Sequence, residues 1–220
     1  MPIIFEDEDI LVIDKPSGIT VHEAPGEKDI TVNEIFADKY KGDNKTDRDM
    51  IVHRLDKGTS GVMVLAKNPE AGVKLRKQFA DREVQKTYIA LVAGKLEDET
   101  GIIDMPLGRD QQSREKISPQ VGGKPAVTEF KKVQDYDSYS LVEAYPKTGR
   151  THQIRTHFAA IGHPVYGDVR YGSKVEDADR IFLHAARISI KHPTTGEKVT
   201  FESPLPKVLE DVLSTFVPTQ

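Results

Sequence analysis

Apolar and polar positions along this chain change period several times, and each period marks a different element. The apolar run 10–13 reads as a short strand, and Asp14-Lys15-Pro16-Ser17-Gly18 behind it is a strong turn signal. Thr31, with Glu34 three residues later, has the form of a capping box, and Val32, Ile35, Phe36 and Tyr40 follow at helical spacing. Residues 41–49 are charged and irregular and read as a loop. The continuous apolar run 62–66 predicts a buried strand. Asn68 then caps a helix with Pro69 at its first position and Leu75 and Phe79 on its buried stripe. Lys74, Arg76, Lys77 and Arg82 lie on or near its other face.

In the second half, 87–93 is a predicted strand ended by Gly94. Residues 126–133 and 139–145 read as two antiparallel strands joined across 135–138. Thr151 is expected to cap a helix over 152–161, where Ile154, Phe158 and Ile161 form the core stripe. The same geometry puts His152 and Arg155 together on another face. Residues 181–190 and 198–201 predict a closing hairpin around His192-Pro193-Thr194-Thr195-Gly196. Strands joined by both hairpins and helices indicate an α+β fold with a large, mostly antiparallel sheet.

Composition bounds the function. The 220 residues suffice for one large domain or two small lobes, with a core that needs no metal or disulfide. There is no cysteine, so thiolate chemistry is excluded. No apolar run approaches bilayer length, and the acidic opening Glu6-Asp7-Glu8-Asp9 is unlike a secretory signal, so a cytoplasmic protein is expected. The net charge of −4 argues against a polyanionic partner, but its distribution does not. Residues 51–90 and 147–192 each carry 8 basic and 4 acidic side chains, whereas 1–50 carry 6 and 13. Two basic segments facing each other would form a positive cleft; two solvated basic faces are the plainer alternative.

Candidate chemistry falls in those segments. It consists of His53-Arg54-Leu55-Asp56 before Thr59-Ser60-Gly61, then Lys86-Thr87-Tyr88, then Thr148-Gly149-Arg150-Thr151-His152-Gln153-Ile154-Arg155, then Gly162-His163-Pro164-Val165-Tyr166-Gly167-Asp168. An aspartate between a cationic neighbour and a tight turn suits a nucleophile or base, although such a residue often only bonds local backbone. Tyr88 alone would be a strand aromatic on a half-buried face. His152, His157 and His163 lack the i, i+4 spacing of a metal pair, so no metal is expected.

In this order the motifs, with Asp14-Lys15-Pro16-Ser17-Gly18 before them and Leu183-His184-Ala185 after, resemble the RluA-type pseudouridine synthase family. The resemblance runs from about Phe5 to Pro204. It implies a single catalytic domain over 1–220: a curved mixed sheet with flanking helices and a central RNA-binding cleft. It implies isomerisation of a uridine in RNA to pseudouridine, with no metal or organic cofactor. By similarity Asp56 is the catalytic carboxylate, Tyr88 the active-site tyrosine and Arg155 the arginine that pairs with the aspartate. Gly58 departs from the polar or larger residue common there, which is expected to loosen the loop. Because the pattern starts within the first ten residues, no preceding S4-type module is expected, and a folded stem-loop of ribosomal or transfer RNA is the expected target of a monomer.

The chemistry fits those roles. Breaking the C1′–N1 bond builds positive charge at the anomeric carbon, which a carboxylate stabilises or attacks. No water adds, because the uracil itself returns to the sugar, so one carboxylate suffices. Arg155 would keep Asp56 ionised with a planar fork that lysine lacks. Strand alternation would put Arg54 on the side of Asp56, there to fill the space of an extruded base or to meet a phosphate. Lys57, Lys86, Lys147, Arg150 and His152 are further candidates for RNA contact. Two other classes are an RNA-binding protein without catalysis, against which the three catalytic residues argue, and a small-glycoside hydrolase, against which the lack of a second motif carboxylate argues.

Overall fold

The structure, a computed structural model, describes residues 1–22, 30–40 (without the side chains of 37–40), 50–111, 113 and 116–219. The loop expected over 41–49 and the side chain of Tyr40 lie outside the described residues. The chain falls into two compact units, Met1–Gln85 with Ala185–Pro204, and Lys86–His184 with Leu205–Gln220.

In the first unit β1 (Ile3–Glu6), β2 (Ile10–Lys15) and β3 (Ser60–Ala66) follow one another across the sheet. β2 and β3 are antiparallel, from Ile10 opposite Ala66 to Lys15 opposite Gly61. All of β3 is buried, as a continuous apolar run demands. Helix α1 (Val32–Tyr40) starts on the capping box that was expected. The Thr31 N–H donates to Glu34 Oε2 at 2.7 Å, and the Glu34 N–H to Thr31 Oγ1 at 3.1 Å. Val32 and Phe36 are buried, while Ile35 is exposed. Helix α2 (Pro69–Ala80) is capped by Asn68, whose Oδ1 accepts the Ala71 N–H at 2.8 Å.

In the second unit β4 (Gln85–Ala93) pairs antiparallel with β9 (Tyr139–Pro146), and β9 with β8 (Val127–Tyr136). The β8 strand runs three residues past its expected end at Val133. A bulge there leaves Val133 without a partner between Lys132 and Gln134 and breaks the alternation on which the reading relied. The other edge of β8 is shared by β5 (Thr100–Asp104) and the C-terminal β12 (Pro218–Thr219). A small hairpin, β6 (Leu107–Arg109) and β7 (Ile117–Pro119), stands beside them.

Helix α3 (Gln153–Ala160) lays Ile154 and Phe158 on the core formed by Ala90, Val92, Val142 and Ala144, as its period predicts. Its start differs from expectation. The N-cap is His152, not Thr151, and no side chain caps it. His152 lies at φ 53, in the left-handed region, and that geometry carries the chain from the Thr148–Thr151 turn into the helix without the extended backbone a threonine cap requires. Strands β10 (Leu183–Lys191) and β11 (Lys198–Glu202) form the closing hairpin around the expected turn. Helix α4 (Lys207–Ser214) packs Leu209 against Leu91, Tyr136 and Phe182. Among the described residues no helix is long and apolar enough to cross a membrane.

Candidate active site

Arg54, Asp56 and Lys57 share one loop of the first unit. It has no strand hydrogen bonds, so the alternation expected to align Arg54 with Asp56 does not operate there. Order comes from anchors instead. Leu55 is buried, Asp56 half-buried, and Arg54 and Lys57 exposed. The Thr59 N–H closes a turn on the Asp56 carbonyl at 3.0 Å. The turn after β2 holds this loop: the Gly18 N–H donates to the Lys57 carbonyl at 2.7 Å, and Ser17 Oγ to the Gly58 carbonyl at 2.9 Å. These two bonds tie the loop at Lys57 and Gly58.

Two residues make that clasp possible. Lys15 is fully buried, and its ammonium donates to the carbonyls of Pro16 at 2.9 Å and Ile19 at 2.8 Å, which folds the Asp14–Gly18 turn around it. Gly61 has φ +119, and a Cβ there would lie 2.2 Å from the Ala185 carbonyl oxygen, so no other residue fits. His53 is structural: Nε2 accepts the Val64 N–H at 3.0 Å, and the ring stacks on Phe79 with centroids 4.6 Å apart.

The other candidates belong to the second unit. Tyr88 lies on β4 opposite Ala144, half-buried at the margin of the core. Lys86, two residues earlier, projects from the same face of the strand and donates to the Thr148 carbonyl at 3.1 Å. Desolvation by burial lowers its ammonium pKa to about 8. Lys147 is ion-paired with Glu129 at 2.7 Å on a half-exposed surface.

Gln153 ties the Thr148–Thr151 turn to β8. Its Oε1 accepts from Thr148 Oγ1 at 2.6 Å and from the Arg150 N–H at 3.0 Å, and its Nε2 donates to the Val127 carbonyl at 2.9 Å. Arg150 lines a groove of about 510 Å³ with Arg109, Lys124 and Ile117, and none of the groove's described lining residues is acidic. Such a wall suits a phosphodiester strand.

Arg155 is buried, and its guanidinium is forked by Asp168: Nε to Oδ2 at 2.6 Å and Nη2 to Oδ1 at 2.8 Å. The Tyr171 ring lies against the same guanidinium, 5.0 Å from Cζ to the centroid. His152 and Arg155 both reach Tyr171, whose hydroxyl is 2.8 Å from His152 Nδ1, but His152 precedes the helix in left-handed backbone, so the helical period expected to align the two does not extend to it.

The remaining histidines are occupied. His157 Nε2 faces the Met105 carbonyl at 3.1 Å and therefore carries a proton, while Nδ1 meets Thr128 Oγ1 at 2.9 Å. Desolvation lowers the His157 pKa, which favours this neutral form. His163 Nδ1 donates to the Ala93 carbonyl at 2.7 Å. Sequence reasoning assigned no role to Lys15, Arg109, Lys124, Asp168 or Tyr171. Asp168 carried a signal, since it ends the Gly162–Asp168 motif.

Known proteins resemble this chain in sequence and in fold. Residues 9–160 match the family model described as RNA pseudouridylate synthase. The uncharacterized RNA pseudouridine synthase YlyB of Bacillus subtilis is 42% identical over 217 residues, 97% of this chain and 72% of that protein. Ribosomal large subunit pseudouridine synthase D of Nitrosomonas europaea is 39% identical over 94% of this chain and 62% of its own length. The structure of human RNA pseudouridylate synthase domain containing 1 superposes with a TM-score of 0.81 at 27% identity, covering 99% of this chain and 88% of that one. On the family-model match, the identity and the fold, this chain belongs to the RNA pseudouridylate synthase family.

Proposed function

We propose that this chain converts specific uridines in structured RNA, stem-loops of ribosomal or transfer RNA, to pseudouridine, with residues 1–220 working as one catalytic domain. The observation that carries the reading is the Asp56 loop, half-open to solvent yet tied to the preceding turn by Gly18 and Ser17. A carboxylate so held reaches a substrate without first having to be ordered. The ribosomal large subunit named in the Nitrosomonas relative favours ribosomal RNA.

The target uridine leaves its stack so that C1′ becomes accessible. Asp56 stabilises or attacks C1′ as the C1′–N1 bond breaks. The uracil turns, C5 bonds to C1′, the C5 proton leaves, and N1 takes up a proton. Tyr88 stacks on the uracil, and its hydroxyl assists the proton shift from C5. Arg155 serves as the arginine partner of the catalytic aspartate. Arg54, Lys57, Lys86, Lys147, Arg150 and His152 contact the RNA. No step calls for a metal or organic cofactor, and the protein acts in the cytoplasm.

The test is Asp56→Asn on RNA carrying 5-tritiated uridine. Tritium release is expected to fall at least about a thousandfold, with circular dichroism and RNA affinity retained. Appreciable turnover by the variant refutes the role of Asp56. Free uracil from the wild-type chain would mark a hydrolase, and binding without any change in the RNA would mark a binding protein.

A further inference from the structure

Tyr171 ends the tight turn Val169–Tyr171, and three parts of the second unit converge on it. Its hydroxyl oxygen accepts the backbone N–H of Ile117 in β7 at 2.9 Å. The same hydroxyl bonds His152 Nδ1 at 2.8 Å, with the two rings edge to face at 79°. Its ring carries the Arg155 guanidinium, whose edge is forked by Asp168. Arg155 is thus located by a carboxylate in its plane and an aromatic ring on its face.

His152 adds a separate observation. At φ 53 it occupies the left-handed region, where a glycine would be at ease. It also caps α3 without a side-chain bond to the helix. A non-glycine residue in that conformation carries a backbone cost, and the His152 side chain reaches Tyr171. Ile117, on the other arm, lines the basic groove with Arg109 and Arg150.

We propose that Tyr171 is a positioning residue for uridine isomerisation: its ring and hydroxyl set the Arg155 guanidinium and lock it to the groove wall at Ile117. The role rests on the isomerase reading above. It predicts that the hydroxyl matters for turnover and not for capture of RNA, because the RNA-facing cations stay in place without it.

Tyr171→Phe keeps the ring over Arg155 and removes both hydroxyl bonds. With total RNA carrying 5-tritiated uridine, its kcat is expected to fall about tenfold, with apparent KM within about twofold. His152→Gly removes one arm while relieving the backbone, so it provides a folded variant even if Tyr171→Phe does not fold. Its kcat is expected to fall several-fold, with KM rising as the His152 contact to RNA is lost. A folded variant with wild-type kcat, or a loss confined to KM, overturns the proposal. Release by the wild-type chain run alongside separates the two readings. Without it the isomerase reading fails and this role fails with it; with it, an unaltered variant kcat refutes the role alone.

Discussion

Replacing Asp168 by Asn tests whether the buried fork on Arg155 is structural capital or decoration. The Asp168 side chain is 1% exposed and that of Arg155 9%, with both fork bonds under 3 Å at 2.6 and 2.8 Å. The amide keeps one acceptor but turns an N–H toward a guanidinium N–H, and it removes the charge that compensates Arg155. Breaking a buried pair from one side costs about 3–5 kcal/mol. At about 2–4 °C per kcal/mol for a chain of this size, the melting midpoint is expected to drop by roughly 6–20 °C. The check is thermal unfolding followed by circular dichroism, with Asp168→Leu/Arg155→Met as the partner measurement. Removing both charges is expected to recover most of the loss, because the penalty lies in the stranded cation rather than in a missing attraction. A single variant melting within about 2 °C of wild type, or a double variant as unstable as the sum of its singles, refutes the reasoning.

Two further outcomes follow from local geometry. Because the Lys86 pKa is lowered to about 8 from 10.5, the unfolded chain holds that proton more tightly between those values, and stability from this group rises with pH across the window. Lys86→Met is therefore expected to be more stable than wild type at pH 7, with the advantage shrinking as pH rises from 8 to 10.5; a pH-independent difference in urea midpoints contradicts this. Gly61→Ala places a Cβ 2.2 Å from the Ala185 carbonyl oxygen at φ +119, and is expected to leave the chain insoluble or molten on expression, so a soluble variant with wild-type melting refutes the close approach.

Local chemistry was the legible part of this fold. Thr31 with Glu34, and Asn68 with Pro69, announced helix starts because a cap is written in adjacent residues. Ile154 and Phe158 announced a buried face because the period is set by the helix alone. The start of α3 was not legible, since a left-handed histidine has no sequence signature. Strands β6 and β7 are three residues each, too short to show alternation. Helix α4 begins on Pro206 with no side-chain cap to mark it. At the site, the motif residues were visible but their partners were not. Nothing local to Arg155 says that a carboxylate thirteen positions on will fork it, or that Tyr171 will cover it. Lys15 reads as a polar strand end, and only the folded turn shows it buried and bonded inward.

The clasp between Ser17-Gly18 and Lys57-Gly58 joins points about forty positions apart in the chain. Such a knot makes the intervening stretch a closed ring, and the entropic cost of closing a ring grows only with the logarithm of its length. Lengthening or trimming that ring therefore costs little, while the aspartate beside the knot keeps its address.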